Sequence, residues 1–222
     1  RIQAIFTSND TPLGECRFDF MVEPGATNTA DWLLLAQFHQ TEDVAPDGTV
    51  LDAPASPPLA LQLRGERLEI VGRTDPNAQT TASPANMSMY LATDPIVRGQ
   101  YYSIRFEVVF DDAADGAGML RVYLDNVLIV DYTGPLGYND VIGAYAQFGV
   151  YREQAPETIA VQFRDVSLTS PDPAPPINGT DGADDIEADQ IGFLEPEQLF
   201  GHGGNDTLNG GWGADTMYGG AG

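Results

Sequence analysis

Tyr102-Ser103-Ile104-Arg105-Phe106-Glu107-Val108-Val109-Phe110 alternates large apolar with polar side chains, and only Val109 breaks the polar series. A period of two places successive side chains on opposite faces, so this stretch reads as a strand with one buried face. Cys16, Phe18, Phe20 and Val22 repeat the pattern against Arg17, Asp19, Met21 and Glu23. Working outward, further strands are expected at residues 31–39, 58–63, 67–73, 118–124, 127–133, 144–151 and 158–168, with Asp125-Asn126 as a tight hairpin turn. No stretch keeps a helical period. Many short antiparallel strands predict an all-β, two-sheet sandwich.

Among such sandwiches the jelly roll is the variety most used for binding polysaccharides, and it is the expected architecture. Ser170-Pro171-Asp172-Pro173-Ala174-Pro175-Pro176 then interrupts the pattern. Proline donates no ladder hydrogen bond and favours a stiff, extended chain. The expected organisation is therefore a jelly roll over 1–169, a linker over 170–177 and a second unit over 178–222.

The formal charge is −23, and all ten basic residues are arginines lying before residue 165. Ten of the 33 acids fall after residue 170, where there is no basic residue at all. A nucleic-acid partner is excluded on this ground, because polyphosphate binding needs a basic surface that releases counterions. No apolar run approaches the ~20 residues that span a bilayer. The single cysteine, Cys16, reads as a small core residue. The chain starts at Arg1 and stops at Gly222 inside a repeat, which predicts a fragment of a longer protein; a monomer is expected.

After the linker a nine-residue period of the form G-G-x-G-x-D-x-U-x appears, where U is apolar. Gly179 to Glu187 fits with Thr180 in the second place, Gly201 to Asn209 with His202 there, and Gly210 to Tyr218 throughout. Gly219-Gly220-Ala221-Gly222 begins another. Glycines permit a positive-φ turn, while the aspartate and the turn carbonyls supply the hard oxygens that calcium prefers. Asp184, Asp206 and Asp215 are the candidate side-chain ligands, and Gly201 and Gly203 contribute turn oxygens. Ile186, Leu208 and Met217 should face inward, residues 188–200 should form an irregular half-turn, and His202 should be surface-exposed. This pattern resembles the RTX calcium-binding β-roll, a short parallel roll. The resemblance implies Ca2+ as cofactor, export of an unfolded chain by bacterial type I secretion, and folding outside the cell on meeting calcium.

In Trp32-Leu33-Leu34-Leu35-Ala36-Gln37-Phe38-His39, Gln37 and His39 are two apart and share a strand face, while Phe38 points the other way. A late segment reads Tyr145-Ala146-Gln147-Phe148-Gly149-Val150-Tyr151-Arg152. Together these resemble the jelly-roll polysaccharide lyases, which include glucuronan lyases, heparin lyase one and the family-seven alginate lyases. Such enzymes carry a Q-x-H strand and a late Y-x-K-x-G-[IV]-Y strand. The resemblance implies that Gln37, His39 and Tyr151 are catalytic. Arg1 falls where relatives place the arginine of an R-x-E-[LV] motif, and Gln147 stands where the family often has lysine. Tyr145, Gln147 and Arg73 are the candidate substrate-binding residues.

The implied reaction removes the proton α to a uronate carboxylate and expels the oxygen at carbon four. Gln37, with Arg1 or another arginine, would bond the carboxylate and stabilise the enolate-like transition state. Tyr151 and His39 would divide the base and acid roles; on a glucuronate unit Tyr151 could serve as both. A tyrosine base needs a lowered pKa, and Arg152 alternates to the opposite strand face. The implied function is a secreted lyase acting on an anionic uronate polysaccharide. Two other readings stand beside it: a lectin-like carbohydrate-binding module with no turnover, and an adhesin fragment.

Overall fold

The computed structural model describes residues 3–5, 14–140, 144–169, 177–187, 198–210 and 216–220. No helix occurs among them. The chain divides into two compact units, Arg1–Thr169 and Ser170–Gly222.

In chain order the strands of the first unit are β1 Gln3–Ile5, β2 Gly14–Val22, β3 Leu33–His39, β4 Leu59–Arg64, β5 Arg67–Asp75, β6 Ala85–Leu91, β7 Tyr102–Val109, β8 Met119–Leu124, β9 Val127–Thr133, β10 Gly137–Tyr138, β11 Tyr145–Arg152 and β12 Val161–Thr169. One sheet runs β1-β11-β3-β4-β5, with β6 and β10 both pairing β5. The other runs β12-β2-β7-β8-β9. Every pairing is antiparallel except the short β10–β5 bridge, and the two sheets form the expected jelly-roll sandwich.

The period-two reading decides which face each sheet buries. Cys16, Phe18 and Phe20 on β2 and Ile104 and Phe106 on β7 are fully buried. They meet the inner face of the first sheet through aromatic edges: Phe18 to Phe148 at 4.9 Å, and Phe38 to Phe106 at 5.6 Å between ring centroids. Such contacts add to the burial of large apolar area, which is the main stabilising contribution. Burial also pushes the Cys16 thiol pKa well up, consistent with an inert core residue. The β8–β9 hairpin turns at Asp125 and Asn126 with φ of 48° and 65°, the left-handed pair that a tight two-residue turn requires.

Strand β6 was not among the expected strands. Its apolar residues Met87 and Met89 pack toward the core without the β-branched pattern that marks a strand.

In the second unit the strands are β13 Ile177–Asn178, β14 Asp185–Glu187, β15 Gln198–Phe200, β16 Thr207–Asn209 and β17 Thr216–Tyr218. They form two parallel ladders, β13-β15-β17 and β14-β16. Ile186 and Leu199 are buried, with Ile177 and Leu208 packed against them. One expectation needs correction. Part of the supposed half-turn over 188–200 is the regular strand β15, whose Leu199 fills the apolar place of a degenerate repeat that starts at Gly192. Met217 pairs in register with the buried Leu199 across the parallel ladder and so turns the same way, inward, but it is 52% exposed because β17 lies at the edge of its ladder.

Candidate active site and calcium-binding repeats

The site forms where β3 and β11 lie side by side. Their register pairs His39 with Tyr145 and Gln37 with Gln147, so these four side chains share the face turned away from the core. Core residues Phe38 and Ala146 pair on the opposite face, which follows from the alternation of LLLAQFH and YAQFGVYR. The two strands line an open groove of about 530 Å³ with Leu34, Gln37, His39, Tyr145, Gln147 and Tyr151 among its walls.

Local irregularities aim the last of these. The register of β11 on β3 shifts between Phe148 and Tyr151, and that of β3 on β4 shifts between Leu34 and Ala36. These shifts pair Tyr151 with Leu34, and Leu34 with the outward-facing Gln62. Bulges of this kind add twist and redirect side chains, and they recur beside active sites. Gly149, at φ of 144°, sits within the β11 shift. Tyr151 emerges 62% exposed, its ring 5.1 Å from that of Trp32.

Hydrogen bonds orient the rest. The amide Nε2 of Gln37 donates to Oε1 of Gln147 at 2.9 Å. His39 lies 3.0 Å through Nδ1 from the carbonyl oxygen of Gln40. A carbonyl only accepts, so Nδ1 is the donor, and the tautomer this selects has its lone pair on Nε2. The imidazole also stacks on Tyr145 with centroids 5.6 Å apart. Arg152 is bound to Glu157 at 2.7 Å through Nη1, and Glu157 also accepts from the amide and hydroxyl of Thr29. The Thr29 amide and hydroxyl, more than Arg152, hold the Glu157 carboxyl down to a pKa of about 2.

Of the candidate residues, Gln37, His39, Tyr145, Gln147 and Tyr151 come together. Arg73 shares the outer face of the sheet on β5 but does not line the groove; its Nη1 donates to the carbonyl of Pro57 at 2.5 Å. Arg1 and Asp215 lie outside the described residues. The sequence reading gave no role to Trp32. The signal available was an aromatic residue directly ahead of the Q-x-H strand.

The aspartates and glycines of the second unit decide whether calcium fits there. Oδ2 of Asp206 is buried and makes no hydrogen bond among the described residues. A Cβ placed on Gly201 would lie 2.5 Å from that oxygen and 2.8 Å from the carbonyl oxygen of Gly219, so only glycine leaves the oxygens room to converge. Asp184 accepts from the Thr180 amide at 2.6 Å, and its own amide donates to Oδ1 of Asp206 at 3.0 Å. Among the described residues no three acidic, histidine or cysteine side chains gather at one point, so carbonyls have to join each carboxylate. Residues of this type fit calcium. Gly203 donates its amide to the Thr180 carbonyl at 3.3 Å, which ties one turn to the next. His202 occupies the second glycine place at φ of 65° and is exposed.

Comparison with known proteins bears on the repeats, the fold and the family. Residues 191–222 match the RTX calcium-binding nonapeptide repeat. No curated protein matches the chain. Among solved structures, the endo-β-1,4-glucuronan lyase of the fungus Trichoderma reesei superposes with a TM-score of 0.53 at 11% identity, over 72% of this chain and 68% of that one. An alginate lyase of Pseudomonas aeruginosa superposes with a TM-score of 0.47 at 15% identity, over 75% and 68%. At such identity the first likeness bears on the fold alone, a jelly roll. Residues 15–167, well over half of the chain, match the family described as polysaccharide lyase, and to that family the chain belongs.

Proposed function

We propose that this lyase is a secreted bacterial enzyme that cleaves an anionic, uronate-containing polysaccharide of the glucuronan, heparin or alginate type by β-elimination. The observation that carries the reading is the convergence of Gln37, His39 and Tyr151 on one open groove. In the reaction a base takes the proton from carbon five, α to the carboxylate. The bond from carbon four to the linking oxygen breaks, an acid protonates that oxygen, and a double bond forms between carbons four and five.

Gln37 and Gln147 are joined amide to amide. They carry further N–H bonds that can turn to a uronate carboxylate and stabilise it as negative charge moves onto it. His39, with its lone pair on Nε2, suits the base role, and the exposed hydroxyl of Tyr151 suits the acid. Where the departing hydrogen and oxygen lie on one side of the ring, Tyr151 serves as both and His39 assists. Arg152 is engaged by Glu157, so the mechanism assigns it no part.

Calcium would be held by Asp184, Asp206, Asp215 and turn carbonyls, including those of Gly201 and Gly203. Its role is to order the repeats, with no part in the elimination. The repeats support export by the type I route, with folding of the roll outside the cell, where calcium is abundant. The jelly roll over 1–169 and the roll over 178–222 would fold independently, with 170–177 as linker. A panel of polyuronates monitored for the ultraviolet absorbance of the unsaturated product tests the function. Absorbance growing on at least one uronate polymer is expected, and its absence on all of them contradicts the reading.

A further inference from the structure

Past Tyr151, at the edge of the groove, the same sheet carries residues that the chemistry above does not use. One position beyond the Leu33–Leu63 pair stand Trp32 ahead of β3 and Arg64 at the end of β4. Trp32 packs its indole against the ring of Tyr151. Arg64 follows Gln62 on the outer face, and its side chain is 53% exposed. Strand spacing of about 4.8 Å and a rise of about 3.3 Å per residue put the Arg64 Cα roughly 12 Å from that of Tyr151, the reach of a neighbouring sugar unit or two.

Arg64 is held by an unusual support. Nη2 donates to Oε1 of Glu69 at 2.5 Å, and the Glu69 carboxylate is fully buried. Glu69 also accepts from Nε2 of Gln62 at 2.7 Å and from Oγ of Ser88 at 2.9 Å. Burying a carboxylate is costly even when it is paired, and an apolar group of similar volume would serve stability as well. What the arrangement gains is orientation. A guanidinium fixed on one edge presents its other N–H bonds outward in a rigid fork that matches a carboxylate. Nearby, the Glu153 carboxylate is turned back onto the Asp31 amide at 3.1 Å.

We infer that Trp32 and Arg64 form a further uronate subsite beside Tyr151, the indole taking the C–H face of a sugar ring and the guanidinium its carboxylate. The unit bound there neighbours the one that reacts. The inference rests on the proposed uronate substrate. It also supplies the substrate-binding cation that the strand carrying Gln147 lacks.

The test uses the full chain with calcium present. Arg64→Gln and Trp32→Ala should each raise KM for the cleaved polyuronate roughly tenfold while kcat falls less, since an oriented charge pair or an aromatic platform contributes on this scale. Arg64→Gln should also flatten the dependence of KM on salt. Arg64→Lys keeps a charge for Glu69 but loses the fork, so it should melt like the parent and still bind weakly; Trp32→Phe should recover part of the loss. With Trp212→Phe as background, Trp32 is the sole tryptophan, and its emission should change on adding a saturated oligouronate to the Tyr151→Phe protein. Parent-like KM and salt dependence in Arg64→Gln, or emission that oligouronate leaves unmoved, overturns the subsite alone. If the parent acts on no uronate polymer, the substrate class falls and the subsite with it.

Discussion

Gln37 and Gln147 face each other across the β3–β11 pair, and the amide of the first donates to the second at 2.9 Å. A neutral amide pair thus occupies the place where a lysine is common among relatives. Replacing Gln37 by Ala removes the donor that the proposed mechanism turns to the developing charge and should lower kcat by about 10²–10³-fold, with a smaller change in KM. Stopped or initial-rate assays separate the two constants. An effect confined to KM would mean that Gln37 only holds substrate.

Calcium removal should act on the second unit first. The acidic turns around Asp184 and Asp206 repel one another until a divalent cation neutralises them. Limited proteolysis of the full chain in excess chelator should trim it to a stable fragment ending near residue 170, while calcium protects the whole chain. Equal resistance in chelator and in calcium would contradict a calcium-ordered roll.

The jelly roll should depend on Phe18, which contacts Phe106, Phe148 and Phe163 and so bridges both sheets. Phe18→Ala should cost about 3–5 kcal/mol, measured by denaturant unfolding with the slope unchanged. A cost below about 1 kcal/mol would mean that the two sheets do not share this core.

Alternation made much of this fold legible. The strands of Cys16–Val22 and Tyr102–Val109, the turn at Asp125-Asn126, and the shared face of Gln37 and His39 all follow from a period of two and from turn chemistry. The bulges that pair Tyr151 with Leu34 were not legible, because a one-residue shift leaves no compositional mark and only the partner strand defines it. Strand β6 hid behind methionines, and β15 behind a repeat that keeps only its first glycine and its apolar leucine. The contact of Trp32 with Tyr151 joins residues remote in sequence, and the Glu69 carboxylate that holds Arg64 lies buried on a face that alternation alone marks as outward.

Acidity should stabilise the first unit over part of the pH range through Asp140. Burial, followed by the nearby Asp52, Asp43 and Asp112 carboxylates, raises its pKa from the ordinary carboxylate value to about 7, and Oδ1 makes no hydrogen bond among the described residues. The native state therefore keeps this proton at pH values where the unfolded chain has released it. Its contribution is full below about pH 4 and is lost as pH rises through about 7. Asp140→Asn should raise the melting temperature at pH 8 and change it little near pH 4. Thermal melts across that range check the sign, and a variant less stable at pH 8 would reverse it.

The most direct test of the account is the initial rate of unsaturated-product formation by Tyr151→Phe on the polyuronate that the parent cleaves. The substitution removes one hydroxyl from an exposed ring that keeps its packing on Trp32, so the fold and the melting temperature should persist. Loss of proton transfer should lower the rate by about 10²–10⁴-fold. A Tyr151→Phe protein that turns over at the parent rate would contradict the assignment of this groove as the site of elimination.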